Sequence, residues 1–155
     1  MKDLLIRIRA ILEAVPYTLL ALPLRVGVGA VFWFSGMTKL ANWDSALQLF
    51  REEYRVPLLS PEFAAHVALG IELGAPVLLV LGLLTRPTAF VLLGMTAVIE
   101  VFVYPLAWPT HVQWAAMLLV LLCRGPGKLS IDHLVWTRLV PRDPSHTVAA
   151  KSSLA

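Results

Sequence analysis

Four long apolar stretches, at about residues 18–40, 61–84, 87–108 and 109–123, constrain what this chain can fold into. A helix needs about 20 largely apolar residues to cross the hydrocarbon core of a bilayer. The first three stretches reach that length. The fourth, at roughly 15 residues, is short for a span, and the charges of its neighbouring loops are what make it one. Apolar residues are 58% of the chain and charged residues 15%, against about 25% charged in a soluble domain. A soluble domain of this size buries only about 70% of its surface, so the surplus apolar side chains must face lipid. The expected fold is all-α: an integral membrane four-helix bundle in a single domain over residues 1–140, followed by a flexible cytoplasmic tail, 141–155.

Basic residues give the expected orientation. Lys2, Arg7 and Arg9 precede the first stretch, Arg86 separates the second and third, and Arg124, Lys128, Arg138, Arg142 and Lys151 follow the fourth. The opposite side holds only Lys39, Arg51 and Arg55, countered by Asp44, Glu52, Glu53 and Glu62. Cytoplasmic loops carry the excess of Lys and Arg, which places both termini in the cytoplasm. The same pattern accounts for the net charge of +3 and the pI near 9.4 without a nucleic-acid partner, because the basic residues flank apolar segments instead of forming a patch.

The connections carry some structure of their own. Leu4, Leu5, Ile8, Ile11, Leu12 and Val15 recur at helical spacing, predicting an N-terminal amphipathic helix at the interface. Charges inside that segment argue against a cleaved signal peptide. Pro16 and Pro23 interrupt the chain after it. The first outer loop predicts a short helix capped by Asp44, with Trp43, Leu47, Phe50 and Tyr54 on one face resting on the membrane surface. Gly27, Gly29, Gly70 and Gly74 suggest close helix packing. Cys123, the only cysteine, forms no internal disulfide and reads as a small apolar residue. Gly125-Pro126-Gly127-Lys128 lacks phosphate-loop spacing and reads as a helix stop before an amphipathic segment, 129–139.

Ionisable groups within the spans carry the functional information. Each is costly in lipid and is expected to face the bundle interior with a partner. Glu72 lies near the middle of the second span and Glu100 in the outer half of the third. Lys39, His66 and His111 lie toward the outer face and Arg25 in the inner half of the first span. Lys39, Glu100, His111 and Glu72 are therefore candidates for an outward-opening pocket, and Arg25 for a partner of Glu72 or a snorkelling group. Tyr104 extends the Glu100 face, and His111 and Trp114, three residues apart, share a face. His66 and Glu72, six apart, do not. Three roles compete: ion pairs that hold the bundle, an organic ligand such as a quinone with Trp108 or Trp114 stacked on its ring, or a metal site in which His66, His111, Glu72 and Glu100 supply nitrogen and oxygen ligands, the two histidines first among them. No two of these candidates have a local ligand-pair spacing, so no metal site is read from the sequence itself.

Four segments in order resemble the DoxX family of small bacterial membrane proteins. They are Arg25 followed by Phe34-Ser35-Gly36-Met37-Thr38-Lys39-Leu40, Glu72 followed by the run ending Leu84-Thr85-Arg86, His111 followed by Trp114-Ala115, and Gly125-Pro126-Gly127-Lys128-Leu129-Ser130-Ile131-Asp132. The resemblance implies a four-helix bundle in the bacterial inner membrane and a redox association, since such proteins include a subunit of a thiosulfate:quinone oxidoreductase and members that assemble with thiol- and superoxide-handling enzymes. The loop 43–59 looks closer to a subgroup encoded beside iron-dependent peptide-modifying oxidases and linked to metal stress. Arg25, Lys39, Glu72, Arg86, His111 and Asp132 match the family pattern, with Arg25, Arg86 and Asp132 read as structural charges.

The leading expectation is an accessory protein of a redox or metal-stress system that binds a quinone-like ligand through Lys39, Glu72, Glu100, His111, Tyr104 and Trp114. Glu100 and His111 would exchange protons. The chain shows no haem, flavin or iron–sulfur motif, so electron transfer would need an oxidoreductase partner. The competing expectations are an anchor or assembly factor for such an enzyme and a metal-handling or transport protein, the last requiring homo-oligomers because four spans leave little room for alternating access.

Overall fold

The computed structural model describes residues 1–54 and 56–139. The expected tail, 141–155, and the loop charges Arg55, Arg142 and Lys151 lie outside the described residues. Seven α-helices and no strand occur among those described: α1 Lys2–Glu13, α2 Tyr17–Ala41, α3 Trp43–Glu52, α4 Pro61–Leu81, α5 Thr85–Phe102, α6 Trp108–Arg124 and α7 Ile131–Leu139. A 3-10 turn, Pro105–Ala107, leads into α6. With that turn the fourth span covers Pro105–Arg124, 20 residues, so it is longer than its sequence suggests. The extra length is the turn Pro105–Ala107 with Trp108 at one end and Arg124 at the other, and Pro105 and Pro109 suit helix starts because their missing N–H groups would be unpaired there anyway.

Four helices are thus long and apolar enough to cross a membrane, and the protein is a multi-pass membrane protein. α2 packs mainly on α4, and α5 on α6, with α2–α6 and α4–α5 contacts closing the bundle. Val28, Phe32, Leu79, Leu92, Leu118 and Leu121 fill its centre. Leu19, Phe34, Phe63, Phe90, Val112 and Leu119 point outward, where lipid replaces water as the solvent. No residue of α1 is buried, as an interfacial helix requires.

The helices meet where the sequence did not indicate. Pro23 lies inside α2 and Pro76 inside α4. Neither ends its helix, which is tolerated in membrane spans. Gly27, Gly70 and Gly74 have open space where a side chain would stand, so they do not mediate packing. Gly36 does: a Cβ there would lie 2.8 Å from Leu73 Cδ2 and 3.0 Å from Glu72 Cβ. The missing side chain lets α2 approach α4 one turn from Lys39, which is what brings Lys39 to Glu72.

At the end that carries α7, the turn between α6 and α7 locks onto the bundle. Arg25 is 2% exposed, and its Nη1 donates to the carbonyls of Pro126, at 3.1 Å, and Leu129, at 2.9 Å. The expected Arg25–Glu72 pair does not form. Arg25 stands beside Gly82, where α4 closes, ten residues beyond Glu72, and the turn's carbonyls lie within reach instead. Asp132 accepts from the backbone N–H groups of Leu84 and Thr85 at 2.8 and 2.9 Å. It thereby caps α5, whose own N-cap residue, Leu84, supplies no side-chain bond. The Asp132 N–H donates to Gly82 O at 2.9 Å, and the Tyr17 hydroxyl to Gly125 O at 2.7 Å. Arg86 is exposed and reaches Cys123 O at 3.4 Å, a long bond.

Candidate functional site

A cavity of about 360 Å³ opens at the opposite end of the bundle. This is the lower part of the size range of small-molecule sites. Its wall comes from all four spans: Val31, Phe32, Ser35 and Lys39 on α2; Ala64, Val67, Ala68, Ile71 and Glu72 on α4; Val91, Met95, Val98 and Ile99 on α5; and His111 and Trp114 on α6. Most of the surface is apolar, with two polar stations.

The first station joins α2 to α4. Lys39 Nζ lies 2.8 Å from Glu72 Oε1 and 3.0 Å from Ser35 Oγ, and the Ser35 hydroxyl donates to the same oxygen at 3.0 Å. Lys39 and Ser35 are one helical turn apart, so both reach one carboxylate. The Lys39 side chain is 17% exposed and that of Glu72 only 2%. Glu72 Oε2 is buried and has no hydrogen-bond partner among the described residues. An unpaired buried polar atom is expensive and calls for an explanation. Ser35 was not singled out from the sequence, although its i, i+4 spacing to Lys39 is the signal that would have found it.

The second station joins α5 to α6. His111 Nδ1 lies 2.5 Å from Glu100 Oε2. His111 is buried and borders the cavity, whereas Glu100 is about one-third exposed and stands behind it. The expectation that Glu100 itself lines the pocket is therefore corrected: it orients His111. The Trp114 ring lies 5.0 Å from the imidazole and 5.6 Å from Phe32, edge to face. Trp108 is exposed and outside the cavity.

The mouth is covered by a segment expected to rest on the membrane surface. Trp43, Leu47, Phe50 and Tyr54 do share a face, but it packs on Ala64, Ala65 and Ala68 of α4. Asp44 stands in the first turn of α3 and makes no capping bond, the N-cap being Asn42. α5 ends at Phe102, so Tyr104 does not continue the Glu100 stripe. The chain turns there and carries Tyr104 to Tyr54, hydroxyl to hydroxyl at 2.7 Å with the rings 5.6 Å apart. Both border the cavity.

Burial, and then the bond to Tyr104, push the Tyr54 phenol well above its ordinary value near 10. Folding thus favours the neutral phenol. Its contribution is complete below the unfolded value and is lost as pH rises through the higher folded one. Absorbance at 295 nm is expected to show a tyrosine titrating late, and Tyr54→Phe to remove that phase. Protease protection of the mouth is expected to be flat from pH 6 to 9 and to fall only above about pH 10. A steady decline across pH 6–9 would contradict the assignment.

His66 is exposed on α4, bonded to Glu62 O and set edge to face on Trp43 at 4.7 Å. It does not border the cavity that His111 borders, so the two histidines of the alternative metal reading are not brought together there. Among the described residues, no group of three or more His, Cys, Asp or Glu side chains is placed to hold a metal ion.

Comparison with known proteins bears on this geometry. The family pattern of DoxX matches residues 20–105, more than half of the chain. The chain belongs to the DoxX family. The matched DoxX segment includes Arg25, Ser35, Lys39, Glu72 and Glu100, and ends before His111. An uncharacterized protein of Haemophilus influenzae is 32% identical over 117 residues, which span 67% of this chain and 75% of that relative. No solved structure matches the chain.

Proposed function

We propose that this protein is an accessory component of a membrane redox system and that its cavity binds a flat, mainly apolar molecule of the quinone type between the four spans. One observation carries this reading: Glu72, 2% exposed, stands in the wall of an apolar cavity with one carboxylate oxygen unpaired. Had Glu72 served only to hold the bundle, both oxygens would be expected to have partners within the protein. Trp114 and Phe32 supply aromatic surface for a ring. Lys39, Glu72 and His111 supply polar atoms at its rim, while Glu100 sets the direction of His111. The redox setting rests on the resemblance of the sequence segments to the DoxX family.

Native mass spectrometry of the protein extracted from its membrane into nanodiscs tests this. The wild type is expected to retain a small apolar molecule. Ala68→Phe, which adds a ring at the cavity wall, is expected to lose it without losing the fold. Equal emptiness of both proteins would favour the anchoring role, for which α7 offers exposed Leu134, Trp136 and Leu139.

The excess of Lys and Arg near the α7 end supports a bacterial inner-membrane location with both termini cytoplasmic and the cavity toward the outer leaflet. A phosphatase that works only outside the cytoplasm, fused after residue 139, is expected to be silent. Activity there would reverse the orientation.

A further inference from the structure

We infer that the cavity opens sideways into the bilayer through a slot between α4 and α5, and that this slot admits the ligand and holds an apolar chain attached to it. This rests on the ligand-binding reading above and adds the ligand's second half: a ring-sized head in the cavity and a hydrocarbon chain beside it.

The exposure of the cavity wall carries the argument. Leu59, Val67, Val91, Val98 and Tyr104 border the cavity and are each 38 to 44% exposed. Val67 is on α4, and Val91 and Val98 are on α5; Leu59 precedes α4 and Tyr104 follows α5. The wall residues of α2 and α6 are buried or half-buried. The open side of the cavity is therefore the α4–α5 side. These two spans, although joined by a short turn, pack far less on each other than α2 does on α4 or α5 on α6.

The edges of the slot match in depth. Counted from the turn that joins the helices, Val67 and Val98 both lie about 20 Å along their axes, and Gly74 and Val91 about 10 Å. Gly74, seven residues after Val67, shares its face. Nothing stands within 4 Å of a Cβ added there. Nearer the turn, Leu79 of α4 and Ala89 of α5 are fully buried in one core cluster, which closes the two spans.

The chemistry of the walls names the occupant. Valines and a glycine on two membrane spans suit hydrocarbon. Lys39 and His111 belong to α2 and α6, the spans across the bundle from the slot. A molecule with its polar head toward them carries its apolar chain out between α4 and α5. At about 360 Å³ the cavity is small for a ligand site, so it takes a head and leaves a long chain to the slot. The end of the bundle is roofed instead, by the α3 face on α4 and by the joined hydroxyls of Tyr54 and Tyr104.

The test uses the full chain in nanodiscs and two probes. One is a quinone with a long alkyl chain that carries a diazirine. The other is the same quinone with a methyl group in place of the chain. Illumination is expected to attach the chain within residues 67–74 and 91–98, read by mass spectrometry of the digest. Ala68→Phe, which fills the cavity, is expected to abolish that attachment. Gly74→Phe fills the slot, and calorimetry is expected to show the long-chained quinone weakened roughly tenfold or more, as overpacking a filled site does, with the methyl quinone unchanged. Val98→Trp is expected to do the same from the other wall, and decides with the labelling if Gly74→Phe does not fold. Gly27→Phe, at an equally open position on α2, is expected to change neither.

Attachment that persists in Ala68→Phe, or that falls mainly on α2 or α6, would overturn the inference, while binding of the methyl quinone would keep the cavity a ligand site. A dimer that Gly74→Phe splits would make the slot an interface between copies and overturn it as well. Failure of both quinones to bind the wild type would overturn the ligand-binding reading itself.

Discussion

Lys39→Met is expected to destabilise the bundle by roughly 3–5 kcal/mol, the cost of leaving a buried charge without its partner. Glu72 would keep only the Ser35 hydroxyl on Oε1, with Oε2 already unpaired. The double variant Lys39→Met with Glu72→Gln removes both charges and is expected to recover most of the loss, because a neutral amide costs far less to bury than a carboxylate. Thermal unfolding in nanodiscs, read as a double-mutant cycle, measures the coupling. A single-variant loss below about 1 kcal/mol, the level of an exposed pair, would show that the pair does not hold α2 to α4. Additive losses would show that the two side chains act separately.

The second large effect lies at the α7 end. Gly82 closes α4 at φ +65°, and a Cβ there would collide with Arg25 Nη1 and Ser130. Gly82→Ala therefore combines left-handed strain, about 1–2 kcal/mol, with overpacking of about 1–3 kcal/mol. A total loss of roughly 2–5 kcal/mol is expected. Gly94→Ala is the control: nothing stands within 4 Å of its added methyl, and alanine improves helix propensity by up to about 1 kcal/mol. Because Arg25 would be pushed from the carbonyls of Pro126 and Leu129, proteolysis within residues 125–130 is expected to accelerate in Gly82→Ala and not in Gly94→Ala. Equal melting temperatures for the two variants would remove the α6–α7 turn from any part in stability.

Some of this architecture is legible in the sequence. Arg25, Glu72 and His111 stood out because ionisable groups in lipid must face inward and find partners. All three are buried. Their partners were harder to read. Arg25 and Glu72 have opposite charges in neighbouring spans, but depth along α4 separates them, and Arg25 satisfies main-chain carbonyls distant in sequence. The α3 face resembled a membrane anchor because amphipathic periodicity records that one side is apolar without recording what covers it. Helical phase puts Tyr104 on the Glu100 stripe, but phase ceases to apply once α5 stops at Phe102.

The sequence by itself determined that this is a four-span membrane protein, because hydrocarbon demands about 20 apolar residues per crossing and internally satisfied backbone. It also determined which few side chains are too costly to face lipid. Only the tertiary structure decided that Lys39 meets Glu72, that Glu100 stands behind His111, that α3 roofs the cavity, and that Asp132 caps α5. Those pairings depend on the relative depth and rotation of helices. Apolar residues facing lipid or one another cost about the same, so hydropathy does not record which helix faces which. Small local features, such as the absent side chain at Gly36, set the approach instead.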